Sequence, residues 1–214
     1  QIWDKGLLYK GFKVVPYCPR CGTPLSAQEV AQGYKDVKER SAIVRFKVVD
    51  EDAYILAWTT TPWTLPSNVA LCVNADEDYV KVKAADGYTY YMAEALLDTV
   101  LGKLKTEDAP AYEVLERFKG KALEYKEYEP LYESAAKIAE KQKKKAFYVL
   151  CDEYVTLTDG TGVVHQAPAF GEDDARVGRK YDMPFVQLVD AKGNMSEDAP
   201  FAGTFVKKAD PLIL

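Results

Sequence analysis

From Ile43 onward the chain falls into short runs with the alternation of half-buried strands. "IVRFKVV", "AYILAW", "VALCV" and "YVKVKA" are each read as a strand, bounded by polar or turn residues. Asp86-Gly87 then joins the last of these to "YTYYM" as a hairpin, because an Asp-Gly pair accepts the positive φ of a two-residue turn. "AEALLDTVLG" shifts to helical spacing, and Gly102 is placed as its C-terminal stop. Beyond the loop "TEDAP", "AYEVLERFKG" reads as a strand ending in a turn at Gly120. "ESAAKIAEKQKKK" is helical by propensity, its basic end suiting the helix dipole. "FYVLC" and "FVQLV" are further strands; between them lie a Gly-rich turn, a short strand, a Pro-broken loop and a helix starting near Glu172.

The first forty residues behave differently. "IWDKGLLYKGFKVVPYCPRCGTPLS" has little periodicity and many turn formers; it reads as an extended arm with a knuckle at "CPRCG", followed by a polar connector, "QEVAQGYKDV". Residues 1–40 are therefore separated from a single globular unit, 41–214. Many short strands with a few interspersed helices predict an α+β fold, a barrel-like and mainly antiparallel β core with peripheral helices.

One stretch breaks the strand pattern. "AWTTTPWTLPSN" sets Thr59, Thr60, Thr61 and Thr64 around Pro62, Trp63 and Pro66. Threonines suit a strand, but prolines in its middle do not. The stretch is read as a strand that ends in a rigid, hydroxyl-lined loop.

Composition narrows the function. The 214 residues are 48% hydrophobic and 29% charged, enough for a sizeable core, and no apolar run is long enough to cross a membrane. With 28 Lys and Arg against 33 Asp and Glu, the net charge of −5 argues against a domain that grips nucleic acid unaided. It leaves room for a domain to which a larger protein delivers a nucleic-acid end. The start at Gln1 and the end at "DPLIL" are read as cuts from such a protein. Four cysteines without secretory signs suggest a reducing, cytoplasmic setting.

Candidate chemistry concentrates in a second stretch, "GTGVVHQAPAFGEDD", Gly160 to Asp174, which holds the single histidine, His165. It follows an apolar strand that Pro168 terminates. Asp173 and Asp174 fall in the first turn of the next helix, where a carboxylate either stabilises the helix start or holds an ammonium group. The two stretches together offer hydroxyls, the Asn68 amide, one imidazole and carboxylates. Ser67 lacks a nucleophile-elbow setting, Cys72 and Cys151 lie in apolar strands, and no metal cluster is evident. This set orients a substrate and a water by hydrogen bonds; it fits covalent or metal catalysis poorly. "CPRC" is one half of a zinc ribbon, with no second pair in the chain to complete four ligands at Cys18 and Cys21. "KQKKK", Lys141 to Lys145, is a solvated helix end or a contact to a nucleic-acid backbone.

"WTTTPWTLPSN", followed about a hundred residues later by "GTGVVHQAPAFGEDD" and preceded by "YCPRCGTPLSAQEVAQGYKDV", closely resembles the editing domain of isoleucyl-tRNA synthetases, the insertion in their class I catalytic core. The resemblance spans nearly the whole chain. The core signatures of that family, HIGH-like and KMSKS-like, are absent, as in a segment lying between them. Leucyl enzymes tend to carry "TTRPDT" and valyl enzymes "TTRPET"; here Thr61 replaces the arginine and Trp63 the acidic residue. "GVVHQAPAFGEDD" looks more like the eukaryotic cytosolic branch.

The resemblance implies hydrolysis of valine from isoleucine tRNA, and of valyl-adenylate, without a cofactor of its own; ATP and Mg serve the parent synthetase. The implied partners are the 3′ end of isoleucine tRNA carrying valine and the rest of the synthetase chain. It implies that Asp174 pairs with the valine ammonium and that His165 binds the terminal ribose or the attacking water. Thr59, Thr60, Thr61 and Thr64 would bind the substrate and wall a small pocket, Trp63 would close or underlie it, and Asn68 would touch substrate or hold the loop. Two alternatives stay open: a valyl-type domain that hydrolyses threonyl-tRNA, and a non-catalytic module that docks tRNA.

Overall fold

The computed structural model describes residues 2–9, 11, 13–107 and 109–214. In the arm, β1 (Tyr17–Cys18) and β2 (Thr23–Pro24) pair antiparallel around the "CPRC" turn. The Cys21 N–H donates to Cys18 Sγ at 3.3 Å, and the Gly22 N–H to the Cys18 carbonyl at 2.8 Å. The polar connector contains a short helix, α1 (Ala27–Gln32). Ser26 and Glu29 form a reciprocal capping box there, which starts a helix despite the polar sequence.

The main sheet is mixed and curls into a half-barrel. Its strands are β3 (Ala42–Lys47), β4 (Tyr54–Thr59), β5 (Ala70–Val73), β6 (Asp78–Ala84), β7 (Thr89–Ala93), β8 (Tyr112–Lys119), β9 (Tyr148–Cys151) and β10 (Val164–Gln166). The hydrogen-bonded path is β8-β6-β7-β4-β10-β5-β9, with β3 paired to β4. Parallel pairing joins β4 to β7 and β10, and β5 to β9; the other pairs are antiparallel. The Asp86-Gly87 hairpin is present, with Gly87 at φ 90°.

Helices lie outside this sheet: α2 (Leu97–Leu101), α3 (Glu133–Gln142), α4 (Glu172–Lys180) and α5 (Val206–Ile213). Gly102 caps the first of them, which ends at Leu101. Its φ of −55° is right-handed, and a 3-10 turn carries the chain on to Leu104. The lysine run outlasts α3, which ends at Gln142 with Lys143 in the left-handed conformation. "FVQLV" forms no strand. Val186 and Leu188 are buried as the alternation requires, but the Phe185 N–H and carbonyl are held by the Gln142 side chain, so no ladder forms.

The sheet separates two cores. Phe46, Ile55, Leu71, Tyr79 and Tyr128 belong to one, with Leu97 and Leu101 of α2 against it. Cys72, Leu150, Val177, Leu188, Met195 and Ala209 belong to the other, beneath α3, α4 and α5. This double burial explains why β5 and β9 read as unbroken apolar runs. Next to β10, Gly162 has φ +72°, and a Cβ there would lie 2.4 Å from Ala93 Cβ, so only glycine fits.

Candidate functional site

β4 ends at Thr59, and the rigid stretch read as a loop is a 3-10 helix, Pro62–Ser67. Pro62 at its first position needs no N–H and has φ already fixed. The Thr64 and Asn68 N–H groups close the turns onto the Thr61 and Leu65 carbonyls, each at 3.0 Å. The Trp63 N–H donates to Asp210 Oδ1 of α5 at 2.9 Å.

This turn meets β10. Thr64 Oγ1 lies 2.9 Å from His165 Nε2, joining residues 101 positions apart. Thr64 also donates its single hydroxyl proton to the Thr61 carbonyl at 2.8 Å. It therefore accepts from His165, which fixes the Nε2–H tautomer and leaves Nδ1 with a lone pair. His165 is 7% exposed, and Nδ1 has no hydrogen-bond partner among the described residues. Burial pushes the imidazole pKa down to about 4, so it is neutral near pH 7. The hydroxyl chain continues through Thr61 Oγ1 to Thr59 Oγ1 with contacts of 3.4 Å, and Thr59 Oγ1 accepts the Thr61 N–H at 3.0 Å. Thr60 projects into solvent outside this chain.

Asp174 occupies different ground. Its Oδ2 accepts the Ala167 N–H at 2.9 Å and its Oδ1 faces Gln166 Nε2 at 3.3 Å. His165 and Gln166 are consecutive in β10, so their side chains leave opposite faces of the sheet. The register agrees: His165 lies opposite Leu71, a residue of the first core, and Gln166 opposite Ala70, a residue of the second. Imidazole and carboxylate thus flank the exit of one strand, the carboxylate held by the N–H of Ala167, two residues after His165, and Asp174 makes no hydrogen bond to the hydroxyl chain. Burial raises the Asp174 pKa. Asp173 pairs instead with Arg176 at 3.1 Å on the exposed side of α4.

Asn68 is 2% exposed and holds the loop: its Nδ2 donates to the Ala70 carbonyl at 2.9 Å and its Oδ1 accepts from Tyr128 at 2.6 Å. Trp63, half-buried, packs edge-on against Phe170 with ring centroids 5.1 Å apart. That contact clasps the threonine turn to the segment between His165 and Asp174. Sequence reasoning did not single out Gln166, Phe170 or Asp210. Gln166 and Phe170 lie inside the quoted "VHQAPAFGEDD"; Asp210 is 147 positions from its partner and carries no local signal. Cys18 and Cys21 are free thiols, and among the described residues no group of three or more His, Cys, Asp or Glu side chains is placed to hold a metal.

The model of class I tRNA synthetases for isoleucine, leucine, methionine and valine matches residues 1–169. The chain belongs to that family. It is 56% identical to isoleucine–tRNA ligase of Clostridium acetobutylicum over 216 aligned residues, covering 100% of this chain and 20% of that protein. It is 47% identical to the cytoplasmic isoleucine–tRNA ligase of Mus musculus, covering 100% of this chain and 17% of that one. Both a bacterial and a eukaryotic cytoplasmic member of the class I family therefore match end to end, the clostridial one at the higher identity. The chain spans about a fifth of the length of these relatives. Among solved structures, the GlLeuRS-CP1 crystal structure superposes with a TM-score of 0.60 at 14% identity, covering 81% of this chain and 92% of that one. The editing domain of the Plasmodium knowlesi cytosolic leucyl-tRNA synthetase superposes at 0.58 with 15% identity, covering 85% and 94%. Both share the fold.

Proposed function

We propose that this class I synthetase chain carries the proofreading step of an isoleucyl-tRNA synthetase, hydrolysing the ester of valine mistakenly joined to isoleucine tRNA. The observation that carries this reading is the 2.9 Å contact between Thr64 and His165, which builds a stiff hydroxyl–imidazole wall from two distant segments. In this reading residues 1–40 are an arm to the rest of the synthetase and 41–214 the editing unit.

The chemistry asked of the site is modest. Valine differs from isoleucine by one methylene, which a single apolar pocket separates by only about 1–3 kcal/mol. A second, smaller site multiplies that discrimination. Threonines are stiff at χ1, and two prolines fix their backbone, so the wall resists an extra methylene. The lone pair on His165 Nδ1 accepts a hydrogen bond from a ribose hydroxyl or from the attacking water. A pKa of about 4 makes the imidazole an orienting group rather than a strong base at neutral pH. Asp174, held by the Ala167 N–H, keeps a further oxygen lone pair for the α-ammonium. An arriving ammonium would favour its charged form against the burial that opposes it.

Deacylation tests this. The protein, or its parent synthetase, incubated with valyl- and isoleucyl-isoleucine tRNA should release valine and spare isoleucine. Loss of both at the rate of buffer alone would overturn it. Faster release from threonyl-tRNA would transfer the chemistry to a valyl-type specificity.

A further inference from the structure

The lysine run 141–145 ends on a face that the proofreading site does not use. There Tyr125, 57% exposed, adopts φ +67°, and Phe147 adopts φ +63°. Bulky residues seldom take the left-handed conformation, and they hold it only where the surroundings impose it. Here the imposition is visible: the Tyr125 N–H donates to the Val149 carbonyl at 2.8 Å, and the Phe147 N–H to the Val69 carbonyl at 2.7 Å. The Tyr125 ring is exposed, with Tyr148 beside it at 5.8 Å and 30° and Tyr181 edge-on at 6.2 Å.

Cations surround this aromatic stack. Lys145 Nζ lies 5.4 Å from the Tyr148 ring centre and Lys180 Nζ 5.4 Å from that of Tyr181. Lys143 pairs with no carboxylate among the described residues. Lys145 and Lys180 have acidic partners, Glu127 and Asp152, but only through solvent-exposed lysine heads that exchange readily for a phosphate. Asp152 is in addition already held by Arg176 at 2.8 Å. Glu124 stands here too, accepting from the Tyr181 hydroxyl at 2.7 Å and pairing with Lys121, and Asp182 pairs with Lys144, so the cation of this face without an acidic partner among the described residues is Lys143.

We propose that this face binds an unpaired stretch of RNA, one base stacking on the exposed ring of Tyr125 and phosphates lying against Lys143, Lys145 and Lys180. Stacking on an exposed aromatic ring with cations at its margin is how sequence-tolerant single-strand binding works. Tyr148 sits in β9, two strands from β10, so the platform is about 10 Å across the sheet from the strand carrying His165. That the RNA is the unpaired end of a tRNA rests on the proofreading reading above; the stacking surface is testable without any ester.

Fluorescence anisotropy of the protein with a labelled single-stranded hexaribonucleotide reads the binding directly. Salt-sensitive binding is expected at low salt, with a blunt RNA duplex bound more weakly. Y125N, whose asparagine tolerates the left-handed backbone, should weaken it roughly tenfold, and Y125W should restore it. K143E/K145E should weaken it and flatten the salt dependence. No binding at low salt, a duplex bound as tightly as the single strand, or unchanged affinity in Y125N with native urea midpoints would each overturn the platform. Valine release that persists without RNA binding would sink the platform alone; RNA binding without valine release would sink the proofreading reading alone.

Discussion

The Trp63 backbone N–H donates to Asp210 Oδ1 at 2.9 Å, so the last helix of the chain holds the threonine turn. The same tryptophan carries the ring that packs on Phe170. Asp210 therefore positions the turn without touching the site. D210A should lose a charge-assisted bond worth about 1.5–3 kcal/mol, visible as a lower urea midpoint. D210N, which keeps an acceptor oxygen, should recover most of it. If deacylation is measured alongside, D210A should raise KM more than it lowers kcat, since a loosened wall binds less well but reacts by the same groups.

T64V is close in shape but removes the acceptor for His165 Nε2–H and the donor to the Thr61 carbonyl. A buried imidazole N–H left unpaired costs about 1–3 kcal/mol. T64S, which keeps the hydroxyl, should return stability close to the parent. Urea unfolding of the three proteins decides whether this hydroxyl holds the imidazole.

His165 makes stability depend on acid. Its folded pKa of about 4 lies below the ordinary value of 6.5, so the unfolded chain takes up the proton more readily. The stabilisation is fully present above pH 6.5 and is lost as pH falls from there towards 4, up to about 3 kcal/mol. H165Q should be less sensitive across that window. Thermal melts of both proteins between pH 7.5 and 4.5 would show it; parallel curves would refute the assignment.

Asp174 has the opposite sign. Burial raises its folded pKa, so the native state binds the proton more tightly than the unfolded chain, and the group costs stability as pH rises through the carboxylate range. D174N should therefore melt at or slightly above the parent temperature at pH 7. Asparagine still offers an oxygen to the Ala167 N–H, and its amide can donate to Gln166 Oε1, which is buried without a partner. Valine release should nonetheless fall by at least tenfold, because the ammonium contact is gone. A drop of several degrees in Tm would instead mark Asp174 as structural.

Much of the sheet and both chemistry-bearing stretches are legible in the chain, because alternation, an Asp-Gly turn and prolines act over a few residues. The strands from Ile43 to Ala93 appear where the pattern puts them. Departures from the pattern trace to particular contacts, some distant and some local. "FVQLV" has the burial of a strand but not the ladder, since Gln142 occupies the Phe185 backbone. The connector acquires a helix from one capping pair. Gly102 caps α2 where the pattern put the stop, though right-handed, and a 3-10 turn follows it to Leu104.

Local order along this chain thus followed from its covalent sequence: where strands run, where prolines stiffen the threonines, and which segments carry an imidazole and carboxylates. Which of those groups meet was decided by the fold. Pairing of β10 with β4 and β5 brings His165 to Thr64, while the pleat of that same strand turns Gln166, and with it Asp174, to the other face. Strand pleat sets the face, but only the long-range register sets the neighbour, and register depends on backbone hydrogen bonds between segments that no local pattern connects.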